Sequence, residues 1–105
     1  PLRDGLLDAI ATTNTLYFWP DPLRGLRSLR RVLHAGGRLA VGYSGATKMR
    51  GFQQITQHGF TTYEPPQVES LLREAGFARV STIPQQGRVS RGDYVTLGFK
   101  ELGAA

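Results

Sequence analysis

The chain contains no cysteine, only one methionine and one tryptophan, and two histidines set far apart in 105 residues. The lack of cysteine excludes a disulfide framework, a thiolate metal site and a cysteine nucleophile. Two separated histidines argue against a dedicated zinc site. No apolar run approaches the roughly 20 residues that span a bilayer, and no signal peptide is visible. The first residue is Pro1 rather than methionine, so a missing or processed native N-terminus is expected. What remains is a chain with room for one modest core, expected to be soluble and cytoplasmic, with no membrane partner.

Lysine is scarce too: there are two, against eleven arginines, in a formal charge of +5. Arg24, Arg27, Arg30 and Arg31 form the strongest cluster and interleave with Leu23, Leu26, Leu29 and Leu33 at helical spacing. That spacing places the arginines on the flanks and outer face of an amphipathic helix, and arginine near a helix C-terminus meets the negative end of the dipole. No aromatic residues interleave with them as stacking platforms for a single strand would. Nucleic acid is therefore a disfavoured partner, and a basic RNA-associated piece is the weakest of three readings; salt-dependent binding would reveal it.

Along the chain, Pro1 to Gly5 is loop chemistry, and Leu7 to Thr13 reads as a short buried strand containing β-branched residues. Asp21-Pro22 is a helix start, with Asp21 as cap and Pro22 at the first position. The leucine stripe predicts a helix of about fourteen residues running to Ala35, with Gly36-Gly37 as its left-handed C-cap. Arg38 to Tyr43 is a second strand. Strand, helix, strand is a βαβ unit, which implies a parallel pair and a right-handed crossover. Residues 44–62 have no clean periodicity and read as a lid or acceptor-side insertion, within which Met49 to His58 could hold a short helix. Glu64-Pro65-Pro66 opens another helix, with Val68, Leu71, Leu72 and Ala75 on one face and Gly76 at its end. Ala78 to Ile83 and Tyr94 to Lys100 are further strands, joined by a polar connector from Gln85 to Gly92 compatible with a hairpin. The chain, 1–105, is expected to be a single partial domain of α/β class.

Three stretches carry a resemblance. Asp4 to Pro22, which includes Ala11-Thr12-Thr13-Asn14-Thr15-Leu16-Tyr17-Phe18-Trp19, resembles the middle of class I S-adenosylmethionine-dependent methyltransferases of the methyltransferase-11 type. Arg30-Arg31-Val32-Leu33-His34-Ala35-Gly36-Gly37-Arg38-Leu39 resembles the family's turn into its fifth strand, with Ala35 where a proline is usual. Leu71-Leu72-Arg73-Glu74-Ala75-Gly76-Phe77 resembles its turn into the sixth. The family sheet runs 3-2-1-4-5-7-6, so the resemblance implies that the strands here are 4, 5, 6 and 7. They would form the C-terminal half of a Rossmann-like sheet, order 4-5-7-6, with the last strand antiparallel and helices flanking it. The cofactor implied is S-adenosylmethionine, bound beyond the strand carboxyl ends between strands 1 and 4. The glycine-rich loop after strand 1 and the acid after strand 2 are absent from this chain, which would then hold one wall of the cleft.

The same resemblance places Thr13, Asn14 and Thr15 along the methionine portion of the cofactor and Asp4 near its adenine. Tyr17 and Trp19 are the candidates for the methyl-acceptor pocket, with Phe18 beside them and Met49, Phe52 and Phe60 over it from the insertion. The expected function is methyl transfer to a small-molecule acceptor as part of a longer chain, with this piece inactive by itself. His58 and Tyr63 are the base candidates should the acceptor carry a proton; His34, beside the helix end, is read as structural. The alternative is a non-catalytic α/β module that dimerises or binds a partner. Leu7 to Thr13 has no lysine or proline and one charge, Asp8, so its edge is unprotected, and either the missing N-terminal half or a second copy in a homodimer is expected there.

Overall fold

A computed structural model of the chain describes residues 5–13, 19–45, 63–85 and 92–102. The first strand, β1, is Leu7–Thr13, as its β-branched and nearly uncharged sequence predicts. Helix α1, Pro22–Val32, starts on the expected cap: the Arg24 N–H donates to Asp21 Oδ1 at 3.1 Å, and Pro22 occupies the first turn. Strand β2, Leu33–Ser44, returns parallel to β1. Helix α2, Pro65–Glu74, is opened by its two prolines, and the Glu64 N–H donates to Gln67 Oε1 at 2.8 Å. It stops at Gly76, whose φ of 100° lets the Phe77 N–H reach back to Leu72 O at 3.0 Å. Strands β3, Ala78–Pro84, and β4, Asp93–Phe99, then pair antiparallel.

The sheet order is β1-β2-β4-β3, with β4 antiparallel to both neighbours. This is the expected 4-5-7-6 order. Leu26 and Leu33, the inward leucines of the α1 stripe and its end, pack with Leu39, Val41, Val68 and Leu72 in one buried cluster. The buried side chains of β2 alternate strictly, so both described helices cover a single face of the sheet. On β1 the residues of the other face, Ala9, Ala11 and Thr13, are exposed. No described helix is long and apolar enough to cross a membrane.

The double glycine has a different job from the one expected. Helix α1 ends at Val32, not Ala35, because Leu33 is already extended (φ −75°, ψ 139°) and wholly buried. Gly36-Gly37 instead forms a bulge at the foot of β2. Register runs from Leu7↔Leu33 to Ala9↔Arg38, so β2 advances five residues while β1 advances two. Gly36 takes a φ of 86°, its N–H donates to Lys100 O at 2.8 Å, and the Lys100 N–H donates to Gly37 O at 2.8 Å. A Cβ on Gly37 would stand 2.8 Å from His34 O and 3.0 Å from Asp8 O, so only glycine fits. The Lys100 ammonium donates to Leu33 O at 2.7 Å, placing positive charge at the helix end.

Candidate functional site

At the carboxyl ends of β1 and β2 lies a hollow of about 300 Å³. Thr13, Gly42, Ser44, Asp93 and Val95 line it, with Gln85 at its rim after β3. Register explains the grouping: Thr13 pairs with Gly42, Gly42 with Val95, and Ser44 with Asp93, and cross-strand partners share a face. The Ser44 hydroxyl donates to Asp93 Oδ1 at 2.5 Å, which orients the carboxylate. Backbone bonds fix the surrounding frame, from the Gly45 N–H to Gly92 O at 2.8 Å and from the Gln85 N–H to Asp93 O at 2.9 Å. Gly42 is not demanded by the backbone: a Cβ there would meet Thr12 O and Thr13 Oγ1 at 3.5 Å, an ordinary contact. Its lack of a side chain therefore leaves the floor of the hollow open.

Behind that floor, on the helix-covered face, runs a chain of hydroxyls. The Tyr43 hydroxyl lies 2.7 Å from Thr96 Oγ1, and Thr96 Oγ1 lies 2.8 Å from Thr82 Oγ1. The Thr82 hydroxyl donates to Glu69 Oε2 on α2 at 2.5 Å. Each hydroxyl owns one hydrogen, so the direction is determined: with that of Thr82 on Glu69, Thr96 must donate to Thr82 and Tyr43 to Thr96. Burial raises the pKa of Tyr43 above its ordinary value. The phenol therefore stays neutral and donating, a strap between sheet and helix.

Of the residues singled out from sequence, Thr13 lies at the hollow. Trp19 does not line it; its ring lies along α1, where a Cβ on Gly25 would stand 2.8 Å from Trp19 Cε3. Tyr63 is buried in the core cluster and bridges Gly45, the residue after Ser44. Asp4, Asn14, Thr15, Tyr17, Phe18, Met49, Phe52, His58 and Phe60 lie outside the described residues. His34, read as structural, sits at the opposite end of β1, where its Nε2 is 3.3 Å from Asp8 Oδ1. Arg30 of the basic cluster also has a structural task, its Nε–H donating to Gly76 O at 3.1 Å.

Sequence reasoning missed Ser44 and Asp93. The signal was present in the strand order: if the fifth and seventh strands pair antiparallel, the end of one must face the start of the other. As for the implied cofactor, the described lining suits the positively charged, methyl-bearing end of S-adenosylmethionine, since it holds one carboxylate and neither lysine nor arginine. Among the described residues nothing corresponds to a ribose-binding acid or a glycine-rich loop.

Comparison with known proteins agrees with this geometry. Residues 1–41 match the family model described as "Methyltransferase domain". Over 42 residues the chain is 45% identical to a 37.1 kDa protein of transposon TN4556 from Streptomyces fradiae, a match covering 40% of this chain and 12% of that protein. Among solved structures, an S-adenosylmethionine-dependent methyltransferase of Thermotoga maritima superposes with a TM-score of 0.79 at 23% identity, over 96% of this chain and 59% of the other. One from Methanosarcina mazei gives a TM-score of 0.69 at 16% identity, over 97% and 63%. Phosphoethanolamine N-methyltransferase 2 of Haemonchus contortus, in complex with phosphomonomethylethanolamine and S-adenosylhomocysteine, gives 0.72 at 9% identity, over 96% and 35%. The chain thus spans less than two thirds of the length of each of these proteins. It shares the α/β fold of these solved methyltransferases over the part of each that it covers, and its first 41 residues match the methyltransferase family model.

Proposed function

We propose that this chain supplies one wall of an S-adenosylmethionine-dependent methyltransferase of the cytoplasm acting on a small-molecule acceptor, and that it works only together with the other half of that fold. The observation that carries the reading is the polar hollow at the carboxyl ends of the parallel pair β1 and β2, the end of an open α/β sheet where ligands bind. When bound, S-adenosylmethionine supplies a methyl group on a positively charged sulfur. The chain's part is positioning, which can account for much of the acceleration in such a displacement. Thr13 offers a hydroxyl at the end of β1, the bare Gly42 admits the reacting groups, and Ser44 holds the Asp93 carboxylate in place. Asn14, Thr15 and Asp4 extend the cofactor side in this reading, and Tyr17, Met49 and Phe52 the acceptor side. His58 and Tyr63 stand as base candidates for an acceptor that must lose a proton. The test is release of S-adenosylhomocysteine by the complete protein across a panel of small acceptors. Turnover with at least one acceptor, absent from the isolated 105 residues, is expected; turnover by the isolated chain would contradict the half-site reading.

A second reading rests on a separate observation. Among the described residues β1 is an edge strand, and its Ala9, Ala11 and Thr13 are exposed with no lysine or proline in the strand to block pairing. Were the chain a partner-binding module, that edge would pair with a second copy or another α/β half, and no methyl donor would bind.

A further inference from the structure

At the foot of the sheet, the end away from the hollow, two arginines meet one aromatic ring. Leu39 and Val41 of β2 are buried under the helices, so Arg38, one step out of phase, faces the opposite side of the sheet. Phe99 of β4 stands directly across from it and shares that side. The third member comes from a bulge. Between Ala78↔Phe99 and Ser81↔Leu97, β3 advances three residues while β4 advances two, and Arg79 takes a φ of 51°. An L-residue enters that left-handed region only at a cost, and bulges and strained residues re-aim side chains at functional places. In an unbroken strand the residue after Ala78 would turn to the helix-covered side. Instead the Arg79 guanidinium lies over the Phe99 ring, 4.4 Å from its centre. Both arginines are exposed. Among the described residues no acidic side chain forms an ion pair with either, Glu101 just beyond Phe99 included. Two like charges held against one ring repel each other, and a shared anion removes that repulsion.

We infer that Arg38 and Arg79, on the two strands that flank Phe99, form a binding site for a phosphate dianion, free or as a monoester. A strand rises roughly 3.3 Å per residue, so Arg38 lies about 20 Å from Ser44 and the site is separate from the hollow. It is independent of the methyltransferase reading. Each guanidinium presents a planar fork of donors. One fork fills the two oxygens of a carboxylate, whereas a phosphate monoester offers three oxygens and a charge of about −2, enough for both. A phosphodiester, as in a nucleic-acid backbone, carries a single charge and two free oxygens and is the poorer match. The Phe99 ring holds the Arg79 fork in place before the anion arrives, which lowers the cost of ordering it.

The test titrates inorganic phosphate, phenyl phosphate, dimethyl phosphate and acetate into the complete protein at constant ionic strength, following the Nε–H signals of Arg38 and Arg79. Inorganic phosphate and phenyl phosphate should move both signals together to saturation, with Kd values at least about tenfold below those of dimethyl phosphate and acetate. The tighter of the two names the source, free phosphate or a phosphomonoester. Affinity should fall below about pH 6, where the phosphate takes up its second proton. Arg38→Gln and Arg79→Gln should each weaken phosphate several-fold, and so should Arg79→Lys, which keeps the charge but loses the fork. The wild-type comparison needs no variant, so a misfolded mutant cannot rescue the idea. Equal affinity for phosphate and acetate, equal affinity for monoester and diester, a shift at only one of the two arginines, or no shift at either overturns the site.

Discussion

Thr96 is the center of the buried hydroxyl chain, and replacing it tests whether that chain holds α2 to the sheet. Thr96 is 0% exposed and Tyr43 2%, so solvent cannot replace a lost partner. Thr96→Val keeps the shape, removes the acceptor from Tyr43 and removes the donor to Thr82. Two buried hydrogen bonds at about 1 kcal/mol each, plus the stranded phenolic O–H, put the loss at about 2 to 4 kcal/mol. Tyr43→Phe removes a donor but strands none, because Thr96 still donates to Thr82, and should cost about 1 kcal/mol. In the double variant nothing phenolic is left unpaired, so its loss should fall short of the sum by about 1 to 2 kcal/mol. Urea unfolding followed by circular dichroism reads this out: at an m-value of about 2 kcal/mol/M, the Thr96→Val midpoint drops by about 1 to 2 M. The phenol adds a pH signature. Its pKa is raised in the folded protein, so above the unfolded value of 10.0 the unfolded chain sheds a proton that the folded one keeps. The stabilising contribution is therefore complete below pH 10.0 and declines as pH rises beyond it, and Tyr43→Phe should remove that part of the decline. A Thr96→Val protein within about 0.5 kcal/mol of wild type, or strict additivity, would refute the directed chain.

Other outcomes follow from single contacts. Asp21→Ala should lower stability by about 1 kcal/mol through the lost cap, with S-adenosylhomocysteine affinity unchanged in a calorimetric titration. Gly37→Ala and Gly42→Ala form a contrasting pair: the first drives a methyl against two carbonyl oxygens and should cost about 2 kcal/mol or more, read as a drop in Tm. The second meets only ordinary contacts and should keep Tm while narrowing the hollow and weakening acceptor binding. The isolated 105 residues, with the β1 edge open, should self-associate in light scattering at micromolar concentration; a stable folded monomer would speak against the edge as a docking strand.

What could be read from the sequence were elements with local causes. Leu7 to Thr13, the Asp21-Pro22 start and the Gly76 stop each depend on neighbours within a few residues, and each falls where expected. The strand order came from resemblance, not periodicity. Gly36-Gly37 misled because glycine signals positive φ without saying whether a cap or a bulge requires it; the decider was Leu33, pulled into the core and out of the helix. The pairing of Ser44 with Asp93 and the chain from Tyr43 to Glu69 join residues 13 to 53 apart and exist only once the register of β2, β3 and β4 is set. Thr13 comes to the hollow because it ends a strand.

The most direct test of a half-site at the strand ends is titration of S-adenosylhomocysteine into the complete protein and into the isolated chain, followed by amide chemical shifts. The complete protein should bind it with the Thr13 and Gly42 signals moving and those of Asp8 and His34, at the far end of β1, unmoved. The isolated chain should bind no tighter than about 100 μM. Equal affinity for both, or shifts confined to the Asp8 end, would contradict the account.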